Sequence, residues 1–539
     1  MVRRLFLLLA SAAVSMFAQE QTGTIDGHVM NSLTGEAISG AIVHAITLRS
    51  TARNRAMREL QATSLADGSF HFDGVGQGSY LIRAEHAGFN SLHRGIFVEL
   101  TAGQPAGDEK ILLAPDSTLS GAVLDEAGAP VPGARVVAIA QVTGIGQKMI
   151  EERSTADAGS SGSFTLKGLK PGNYFLVAEP PDPKQAESQK HKQAPNPAGE
   201  LVRTLYPRAL SLEEATAIPV MVGQSPADAT IYMRRATTHH VSGKIAEPVQ
   251  DRDLKAALRP RGAGNSDVLG FQGAVEKNGT FDISGVLPGD YTLQLSSNNR
   301  PYRLARQNIS VGVEDVQGVV LNLLSPVTLE GKVSIESDIG VTMPRVRISV
   351  KHLEDRKTVM VNVNTDGTFF ISSLDPEPSL FRAQVATPGF YVKSILLNGQ
   401  DAKNRPVDLS DIGRGKVEVV LRAAAGEIDG KVPDAANGTT VGIVAVPQQI
   451  APDAYNVVQQ YSRPDGTFAI SNLEPGEYRL YAIAAMEWAL WQTPEFLQAV
   501  QSFGTTAEVN ENQRQQVQLK EIPQEAIQQA ADQLGLTVE

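Results

Sequence analysis

The sequence predicts an all-β protein built as a tandem array of about five β-sandwich domains. Three recurring signals support this prediction: a turn–strand–turn–strand motif, a short strand with a central glycine before each copy, and an apolar strand after it. Short strands of alternating polarity, separated by regular turns, are typical of β-sandwiches rather than of parallel sheets. Each repeat is on the order of 100 residues long, which is enough to fold around its own core.

The motif is clearest in the fifth copy, which runs from Asp465 to Ile470 and ends at Pro475–Tyr478. Its Asp-Gly pair predicts a hairpin turn, and alternation along the next strand places Phe468 and Ile470 on one face. Pro-Gly fits the two central positions of a type II turn, and Tyr478 then opens another strand. The other copies begin at Asp67, Ser161, Asn278 and Asp366, and the copy at Asp366 lacks the Pro-Gly-x-Tyr ending.

The strand before each motif contains a glycine, and a strand rich in branched aliphatic residues closes each repeat. The glycines are Gly27, Gly121, Gly243, Gly331 and Gly430. Together these signals predict sandwiches over residues 23–114, 116–235, 237–325, 327–422 and 424–520. The second sandwich carries a Pro-rich loop at residues 180–200, and the fifth carries an insertion at residues 486–504 that contains both tryptophans.

The two ends of the chain have their own signals. Arg3 and Arg4 precede the apolar stretch Leu5–Phe17, which is too short to span a bilayer comfortably, so residues 1–18 are predicted to form a helical signal peptide cleaved after Ala18. An uncleaved membrane anchor is the alternative. At the other end, residues 521–539 form a tail in which Ile527, Ala530, Ala531 and Leu534 share one helical face, which predicts a short C-terminal helix.

Composition removes several classes of function. The chain has 539 residues, no cysteine and a net charge of −11. Without cysteine it can form no disulfide, thiolate metal site or iron–sulfur cluster. An acidic balance without basic patches argues against a nucleic-acid partner, since phosphate binding needs clustered lysine and arginine.

The motif set resembles the carboxypeptidase regulatory-like family, whose transthyretin-like modules are related to the Cna B-type domains of surface adhesins. The resemblance rests on Gly-Ser/Thr-Phe, on Pro-Gly-x-Tyr, on the glycine-bearing strands and on the Pro-x-x-Gly-Ala-x-Val segment at residues 130–136. It covers nearly all of the chain after residue 18, in five copies of unequal quality. It implies seven-stranded sandwiches of prealbumin-like, Ig-like or carbohydrate-binding-like topology, and it implies no catalysis.

No catalytic or metal-binding motif stands out in the sequence. None of the nine histidines has the His-Glu-x-x-His spacing, and His239-His240 should point to opposite faces of a strand. His28, His44 and His71 all lie on strands of the first repeat and could meet in space. The segment Asp251–Asp253 lacks the register of a calcium-binding loop. We therefore expect no cofactor, no resident metal and no catalytic residue.

Two features remain open as sites. Lys244, Lys332 and Lys431 follow the strand glycines, and with Asn322 they raise the possibility of a Lys–Asn isopeptide crosslink of the Cna B type; exposed edge-strand lysines are the alternative. Trp488, Trp491 and Phe496 cluster in the last insertion and form a candidate ligand or interface surface, because exposed aromatic side chains stack on sugars and anchor protein contacts. The alternative is that they cover one end of the last sandwich.

The function expected from the sequence is non-enzymatic. The chain should be exported and should act in the periplasm, on the outer surface or outside the cell as a binding or spacer module. Its partner would be a polysaccharide or an envelope protein, with no membrane span after signal cleavage. An accessory role in an outer-membrane transport or peptidase system is the alternative. It rests only on the kinds of protein in which domains of the resembled family are found.

Overall fold

The computed structural model describes the chain from residue 22 to residue 534 with gaps. The described ranges are 22–50, 59–91, 95–100, 106–144, 147–181, 199–226, 228–247, 253–261, 267–297, 305–337, 340–354, 357–433, 441–448, 457–463, 465–483 and 490–534. The predicted signal peptide lies outside these ranges, as does most of the predicted loop at 180–200. The described residues fall into two compact units, the first drawn from Met1–Met30, Ala37–Ala84 and Gly95–Ile111, the second from Asn31–Glu36, Glu85–Arg94 and Leu112–Glu539.

The first repeat supplies eight strands, and the first unit contains most of them. They are β1 (Gly23–Asn31), β2 (Ile42–Ser50), β3 (Glu59–Thr63), β4 (Ser69–Val75), β5 (Gly78–Glu85), β6 (Phe89–Ser91), β7 (Ile96–Leu100) and β8 (Ala106–Pro115). Within the first unit, β4, β1 and β8 are neighbours in one sheet, and β3-β2-β5-β7 is the order of the other. Strand β6 belongs to the second unit, where it pairs with residues 113–115.

The second repeat forms ten strands. They are β9 (Ser117–Leu124), β10 (Arg135–Gly144), β11 (Gln147–Asp157), β12 (Ser163–Leu169), β13 (Gly172–Glu179), β14 (Glu200–Leu201), β15 (Thr204–Leu205), β16 (Ile218–Val220), β17 (Ala229–Tyr232) and β18 (Arg235–Ala236). One sheet has the order β12-β9-β17 and the other β11-β10-β13-β15, with β16 also paired to β13 and with β14 and β18 as a separate pair.

The third repeat is the simplest sandwich, with three strands facing four. Its strands are β19 (His239–Ile245), β20 (Leu254–Pro260), β21 (Phe271–Ala274), β22 (Thr280–Val286), β23 (Gly289–Ser297), β24 (Ala305–Val311) and β25 (Val316–Leu321). The sheet orders are β22-β19-β25 and β21-β20-β23-β24. These seven described strands match the count that the family resemblance implies.

The fourth and fifth repeats follow the same plan. The fourth has β26 (Val327–Glu336), β27 (Val346–His352), β28 (Thr358–Asn362), β29 (Thr368–Leu374), β30 (Pro378–Val385), β31 (Tyr391–Leu397), β32 (Gln400–Asp401), β33 (Pro406–Asp408) and β34 (Arg414–Arg422). The fifth has β35 (Gly426–Lys431), β36 (Gly442–Pro447), β37 (Val458–Tyr461), β38 (Thr467–Leu473), β39 (Gly476–Ile483), β40 (Thr505–Val509) and β41 (Arg514–Gln518). Their sheet orders are β29-β26-β34-β31-β32 with β28-β27-β30-β33, and β38-β35-β41 with β37-β36-β39-β40. The predicted tandem array of β-sandwiches is therefore confirmed.

The three sequence signals meet in one sheet of each sandwich. In the second to fifth repeats the glycine-bearing strand lies in the middle, with the motif strand antiparallel on one side and the closing strand parallel on the other. A parallel pairing of the first and last strands needs the whole repeat as its crossover. The parallel pair therefore brings together the first and last strands of each repeat's sheet.

The strand glycine lies directly opposite the motif phenylalanine in every repeat. The pairs are Gly27–Phe70, Gly121–Phe164, Gly243–Phe281, Gly331–Phe369 and Gly430–Phe468. A methyl group on any of these glycines would overlap the ring of its partner. The glycine is therefore needed because the aromatic ring lies across the neighbouring strand at that point.

The Asp-Gly turn does not form the predicted hairpin. Ser69 donates from its backbone N to the Asp67 Oδ1 at 3.0 Å, and Gly68 has a φ of 78°, so the tight turn itself is present. The strands before and after it, β3 and β4, belong to opposite sheets, and the same holds in the other repeats. The turn is therefore an arch, a connection that crosses from one sheet of the sandwich to the other. Each strand buries its apolar face against the common core instead of pairing with its neighbour in sequence.

The Pro-Gly turn also joins opposite sheets, and its geometry differs from the predicted type II turn. Gly172 and Gly289 have φ angles of 154° and 158°, far beyond the value of about 80° that a type II turn requires. The tyrosine that follows fixes the turn by donating its hydroxyl to the carbonyl oxygen four residues earlier. The donor–acceptor distance is 2.6 Å for Tyr80 and 2.8 Å for Tyr174, Tyr291 and Tyr478.

The predicted C-terminal helix is confirmed, together with a helical segment in the last insertion. A 3₁₀ turn at Leu490–Gln492 leads into α1 (Pro494–Ala499), and α2 spans Gln524–Gln533. Ile527, Ala530 and Ala531 are buried and Leu534 packs beside them, as the helical pattern predicts. Among the described residues, no helix has the length and apolar character needed to cross a membrane.

Candidate functional site

The predicted aromatic surface in the last insertion is a core. Trp491 is 1% exposed and Phe496 is fully buried, and both pack with Tyr481 and α2 over the outer face of β36 and β39. The Trp491 ring lies 5.2 Å from that of Tyr481 and 5.3 Å from that of Phe496. Buried rings cannot stack on a ligand, so Trp491 and Phe496 do not form the predicted ligand surface, and they cover the outer face of one sheet and not an end of the sandwich. Trp488 lies outside the described residues.

The histidines of the first repeat do not converge. His28 and His71 lie on neighbouring strands of one sheet, whereas His44 lies on β2 of the other. His71 Nδ1 lies 2.5 Å from Asp26 Oδ1, and this hydrogen bond raises the pKa of His71. His44 Nδ1 lies 2.7 Å from Glu59 Oε1. Within the described ranges, no group of three or more His, Asp or Glu residues is arranged to hold a metal ion.

His239 and His240 point to opposite faces of β19, as predicted. His239 is buried, with Nδ1 3.8 Å from Asp315 Oδ1, and His240 is exposed beside Asp282 at 3.0 Å. Each histidine side chain therefore has its own carboxylate partner, Asp315 for His239 and Asp282 for His240.

The strand lysines are exposed, as the alternative expects, but they lie on interior strands of their sheets and not on edge strands. Lys244, Lys332 and Lys431 point away from the cores of their sandwiches, and Asn322 is exposed as well. Lys332 Nζ donates to the carbonyl oxygen of Asp366 at 2.9 Å. An isopeptide crosslink of the Cna B type requires lysine and asparagine to meet, and none of these lysines faces Asn322 from inside a sandwich.

Sequence reasoning missed a buried group of Ser379, His352 and Glu377 in the fourth repeat. It lies where Asp375–Pro378 replaces the Pro-Gly turn, and Ser379 stands at the tyrosine position. His352 Nδ1 lies 3.0 Å from Ser379 Oγ and 3.9 Å from Glu377 Oε1. A nucleophilic serine needs the two ring nitrogens to bridge serine and carboxylate. Here one nitrogen faces both groups, and all three residues are at most 2% exposed, so the arrangement is structural.

A cleft opens to solvent between the second and third sandwiches. It is a cleft of about 740 Å³, formed where the connection from β15 to β16 faces β21 and the Pro-Gly turn at Pro288–Gly289. Its inner wall is apolar and consists of Leu205, Leu212, Leu269, Phe271, Leu287 and Tyr291. A concave apolar site of this volume is typical of ligand-binding pockets.

Leu269 fixes one sandwich against the other beside the cleft. It comes from the third repeat, and it is buried in a cluster with Val137, Ile139 and Leu205 on the outer face of the β10–β13 sheet. The sequence contains a signal for this burial, because Val136–Ala140 is a continuous apolar run rather than an alternating one. Such a run indicates a strand buried on both faces.

Arg203 forms the second link across the junction. Its Nη2 donates to the carbonyl oxygen of Gly270 at 2.7 Å, and its guanidinium lies 4.8 Å above the centre of the Phe271 ring. Arg203 Nε is 3.7 Å from Glu179 Oε1, so the charge is offset within the second sandwich. Burial lowers the pKa of Arg203, although the group remains a cation because its ordinary pKa is far above neutrality.

The polar groups of the cleft are held in local contacts or exposed on its rim. Tyr291 donates its hydroxyl to the Leu287 carbonyl oxygen, and burial raises its pKa to about 12, so it does not exchange protons at neutral pH. His239 is buried beside Asp315. Glu213, Glu214 and Asp290 are exposed on the rim. No nucleophile lies in hydrogen-bond reach of a base among these described groups.

Comparison with known proteins gives a family match for the first two repeats. Residues 24–109 and 118–203 match the model of the Carboxypeptidase regulatory-like domain, which is about a third of the chain. No curated protein matches the sequence. The match falls on the two repeats in which the Gly-Ala-x-Val segment follows the glycine-bearing strand.

Solved structures with some similarity include two bacterial pilins. The minor pilin GBS52 of Streptococcus agalactiae is 13% identical, with a TM-score of 0.23 and coverage of 40% of this chain and 97% of the pilin. The major pilin subunit BcpA of Bacillus cereus is 11% identical, with a TM-score of 0.15 and coverage of 75% and 99%. Similarities at these levels carry no information about function. The family evidence therefore comes from the family model: the first two repeats of this chain match the Carboxypeptidase regulatory-like domain, as the sequence motifs predict.

Proposed function

We propose that this chain is a non-enzymatic protein of the cell envelope or its exterior, which acts as a binding and spacer module. The observation that carries this proposal is the series of direct bonds between successive repeats of the second unit. A chain of independent sandwiches on loose linkers would show few bonds between neighbours. Here each junction in the second unit has side-chain hydrogen bonds or ion pairs.

The junction of the fourth and fifth sandwiches shows the pattern best. Asn472 has a φ of 62°, and its Nδ2 donates to the carbonyl oxygens of Val385 at 2.9 Å and Thr387 at 3.2 Å. Lys403 Nζ lies 2.6 Å from Glu474 Oε2 across the same junction. The end of the motif strand in one repeat is thereby held against the preceding repeat.

Other junctions use the same regions of the repeat. Asn90, on β6, donates to the carbonyl oxygens of Gly168 and Leu169 at 3.3 Å and 3.2 Å. Gly168 occupies the motif position that corresponds to Asn472. Between the third and fourth sandwiches, Arg306 Nη2 lies 2.7 Å from Glu354 Oε1. These contacts support a role in which the repeats keep a set spacing and present their surfaces together.

The absence of a catalytic arrangement in the described cleft supports the non-enzymatic part of the proposal. The apolar inner wall of the cleft supports the binding part, with a polysaccharide or an envelope protein as the partner class. Export is supported by the basic and apolar residues at positions 3–17.

Cell fractionation tests the location. The chain is expressed with its own N-terminus in a Gram-negative host, and the first peptide of the accumulated protein is sequenced by mass spectrometry. We expect a periplasmic or extracellular protein that begins at Gln19. A cytosolic protein that retains Met1 would contradict the proposal.

Incubation with isolated envelopes tests the activity. The purified chain is mixed with cell-envelope material, the sedimented fraction is quantified, and the supernatant is analysed for released sugars and peptides. We expect cosedimentation without new products. Heat-sensitive release of reducing sugars or of peptides would show catalysis and would overturn the non-enzymatic assignment.

A further inference from the structure

We propose that the cleft between the second and third sandwiches is a docking site for a short basic segment of a polypeptide. The apolar side chains of that segment would enter the cleft, and its lysine or arginine side chains would face the acidic rim. This inference rests on the proposed binding function and goes beyond it by naming the site and the chemistry of the partner.

The apolar part of the site is open to solvent on one side. Leu205, Leu269 and Tyr291 are buried at its base, while Leu212 is only partly buried. Val313 stands at the edge with 87% of its surface exposed, the highest value among the exposed large hydrophobic residues of the described chain. Burial of such a side chain under a partner removes apolar surface from water and stabilises the complex.

The negative charge of the rim favours a partner with positive charge. Glu213, Glu214 and Asp290 line the rim as exposed carboxylates, whereas Arg261 is the one exposed cation among the described lining residues. Neither Glu213 nor Glu214 forms an ion pair or side-chain hydrogen bond with another described residue. Asp290 Oδ1 accepts a hydrogen bond from Ser310 at 2.5 Å. The rim is therefore complementary to a cationic partner.

The aromatic rings argue against a sugar as the occupant. Sugar stacking needs an open aromatic face. One face of Phe271 is covered by the Arg203 guanidinium, and Tyr291 meets Phe271 at a centroid distance of 5.8 Å and an angle of 73°. Tyr291 is itself only 5% exposed. The cleft thus offers apolar walls and carboxylates, which suit the leucine, phenylalanine and lysine side chains of a peptide.

Calorimetric titration of the full chain with two capped pentapeptides tests the inference. The peptides are Lys-Leu-Phe-Leu-Lys and its charge-reversed analogue Glu-Leu-Phe-Leu-Glu. We expect the basic peptide to bind and the acidic peptide to give no heat of binding. The affinity for the basic peptide should fall when the salt concentration is raised from about 0.05 M to about 0.5 M, since salt screens exposed charges.

Two surface variants locate the binding site. Glu213→Gln with Glu214→Gln should raise the Kd for the basic peptide about three- to tenfold, because two exposed ion pairs are lost. Val313→Ser should raise it about two- to fivefold through lost apolar burial. All three residues are exposed, so the fold should be retained. Glu495→Gln with Glu508→Gln removes the same charge from exposed positions of the fifth repeat and should leave the Kd unchanged.

Several results would overturn the inference. These are equal binding of both peptides, no binding of the basic peptide, or loss of binding in the fifth-repeat control to the same extent as in the rim variant. Binding of N-acetylglucosamine hexasaccharide that Val313→Ser abolishes would assign the cleft to sugars instead. If the chain cosediments with envelopes and shows no peptide binding, the docking inference alone fails. Catalysis or cytosolic retention would contradict the proposed function. The peptide titration tests only the docking inference.

Discussion

Gly331 and Phe369 show how single residues define a repeat. They face each other on β26 and β29, and the ring lies across the glycine where a larger side chain would stand. The same pair occurs in all five repeats. The two residues are far apart in sequence, so their partnership explains why two separate sequence signals recur together.

Replacement of Gly331 by alanine tests this pairing. The added methyl group would overlap the Phe369 ring, so we expect a loss of about 1–3 kcal/mol in the free energy of unfolding of the fourth sandwich, measured by urea denaturation of the full chain. Gly340→Ala is the matched control, because no atom lies within 4 Å of the new methyl group. Phe369→Leu should recover part of the loss in the Gly331→Ala background. Equal stability of Gly331→Ala and Gly340→Ala would refute the pairing.

Tyr291 links the motif turn to alkaline stability. Burial raises its pKa to about 12, whereas an unfolded tyrosine has a pKa of about 10. The neutral hydroxyl is favoured in the folded state, so its contribution to stability is complete below pH 10 and is lost as the pH rises towards 12.

The variant Tyr291→Phe removes both this titration and the hydrogen bond to Leu287. We expect a loss of about 0.5–1.5 kcal/mol in the free energy of unfolding at neutral pH. We also expect a smaller decline in stability between pH 10 and pH 12 than in the unchanged chain. Both are measured by urea denaturation across that pH range, and an identical alkaline decline in the two proteins would contradict the assignment.

At the scale of elements, strands β10 and β36 are buried on both faces. In β10 the outer face is covered by residues after β15 and by Leu269, and in β36 it is covered by Trp491, α1 and α2. Both strands have continuous apolar runs in the sequence, Val136–Ala140 and Gly442–Val446. The runs indicate that something covers the strand, although they do not indicate which segment does so.

Ala531 on α2 provides a test of this cover. It is fully buried against the cluster that contains Trp491, so Ala531→Glu would place a charge in an apolar contact and should cost about 2 kcal/mol or more. Both tryptophans of the chain lie in residues 486–504, so we expect a red-shifted tryptophan emission and increased quenching by iodide. Gln529→Glu on the exposed face of α2 is the control and should leave the emission unchanged. Unchanged emission in Ala531→Glu would show that α2 does not cover Trp491.

At the scale of the whole molecule, the contacts at the junctions hold neighbouring repeats of the second unit against each other. The motif position of Asn472 is occupied by glycine in the first three repeats and by Ser373 in the fourth, and all five residues have positive φ angles between 60° and 72°. The backbone therefore requires a residue that tolerates this conformation. At this position the Asn472 side chain donates to the preceding repeat, whereas Gly168 has only its backbone carbonyl oxygen to accept from Asn90 of the preceding repeat.

Asn472→Gly isolates that contact, because glycine keeps the backbone conformation and removes the side chain. We expect hydrogen exchange of residues 385–390 to become about fivefold faster or more, as the loss of about 1 kcal/mol of hydrogen bonding implies. Ser373→Gly is the matched control at the same motif position and should not change exchange in that segment. Equal effects of the two variants, or no effect of Asn472→Gly, would contradict the proposed junction.

The sequence by itself determined the sandwich class, the motif strands and the C-terminal helix. Alternating strands, turn glycines and helical faces such as Ile527, Ala530 and Ala531 are local patterns, and local chemistry is sufficient to fix them. The tertiary structure decided that the Asp-Gly turn is an arch and that Trp491 and Phe496 are buried. It also decided that a cleft lies beside Leu269. These outcomes depend on which distant segment covers an apolar face, and no local pattern encodes the identity of that segment.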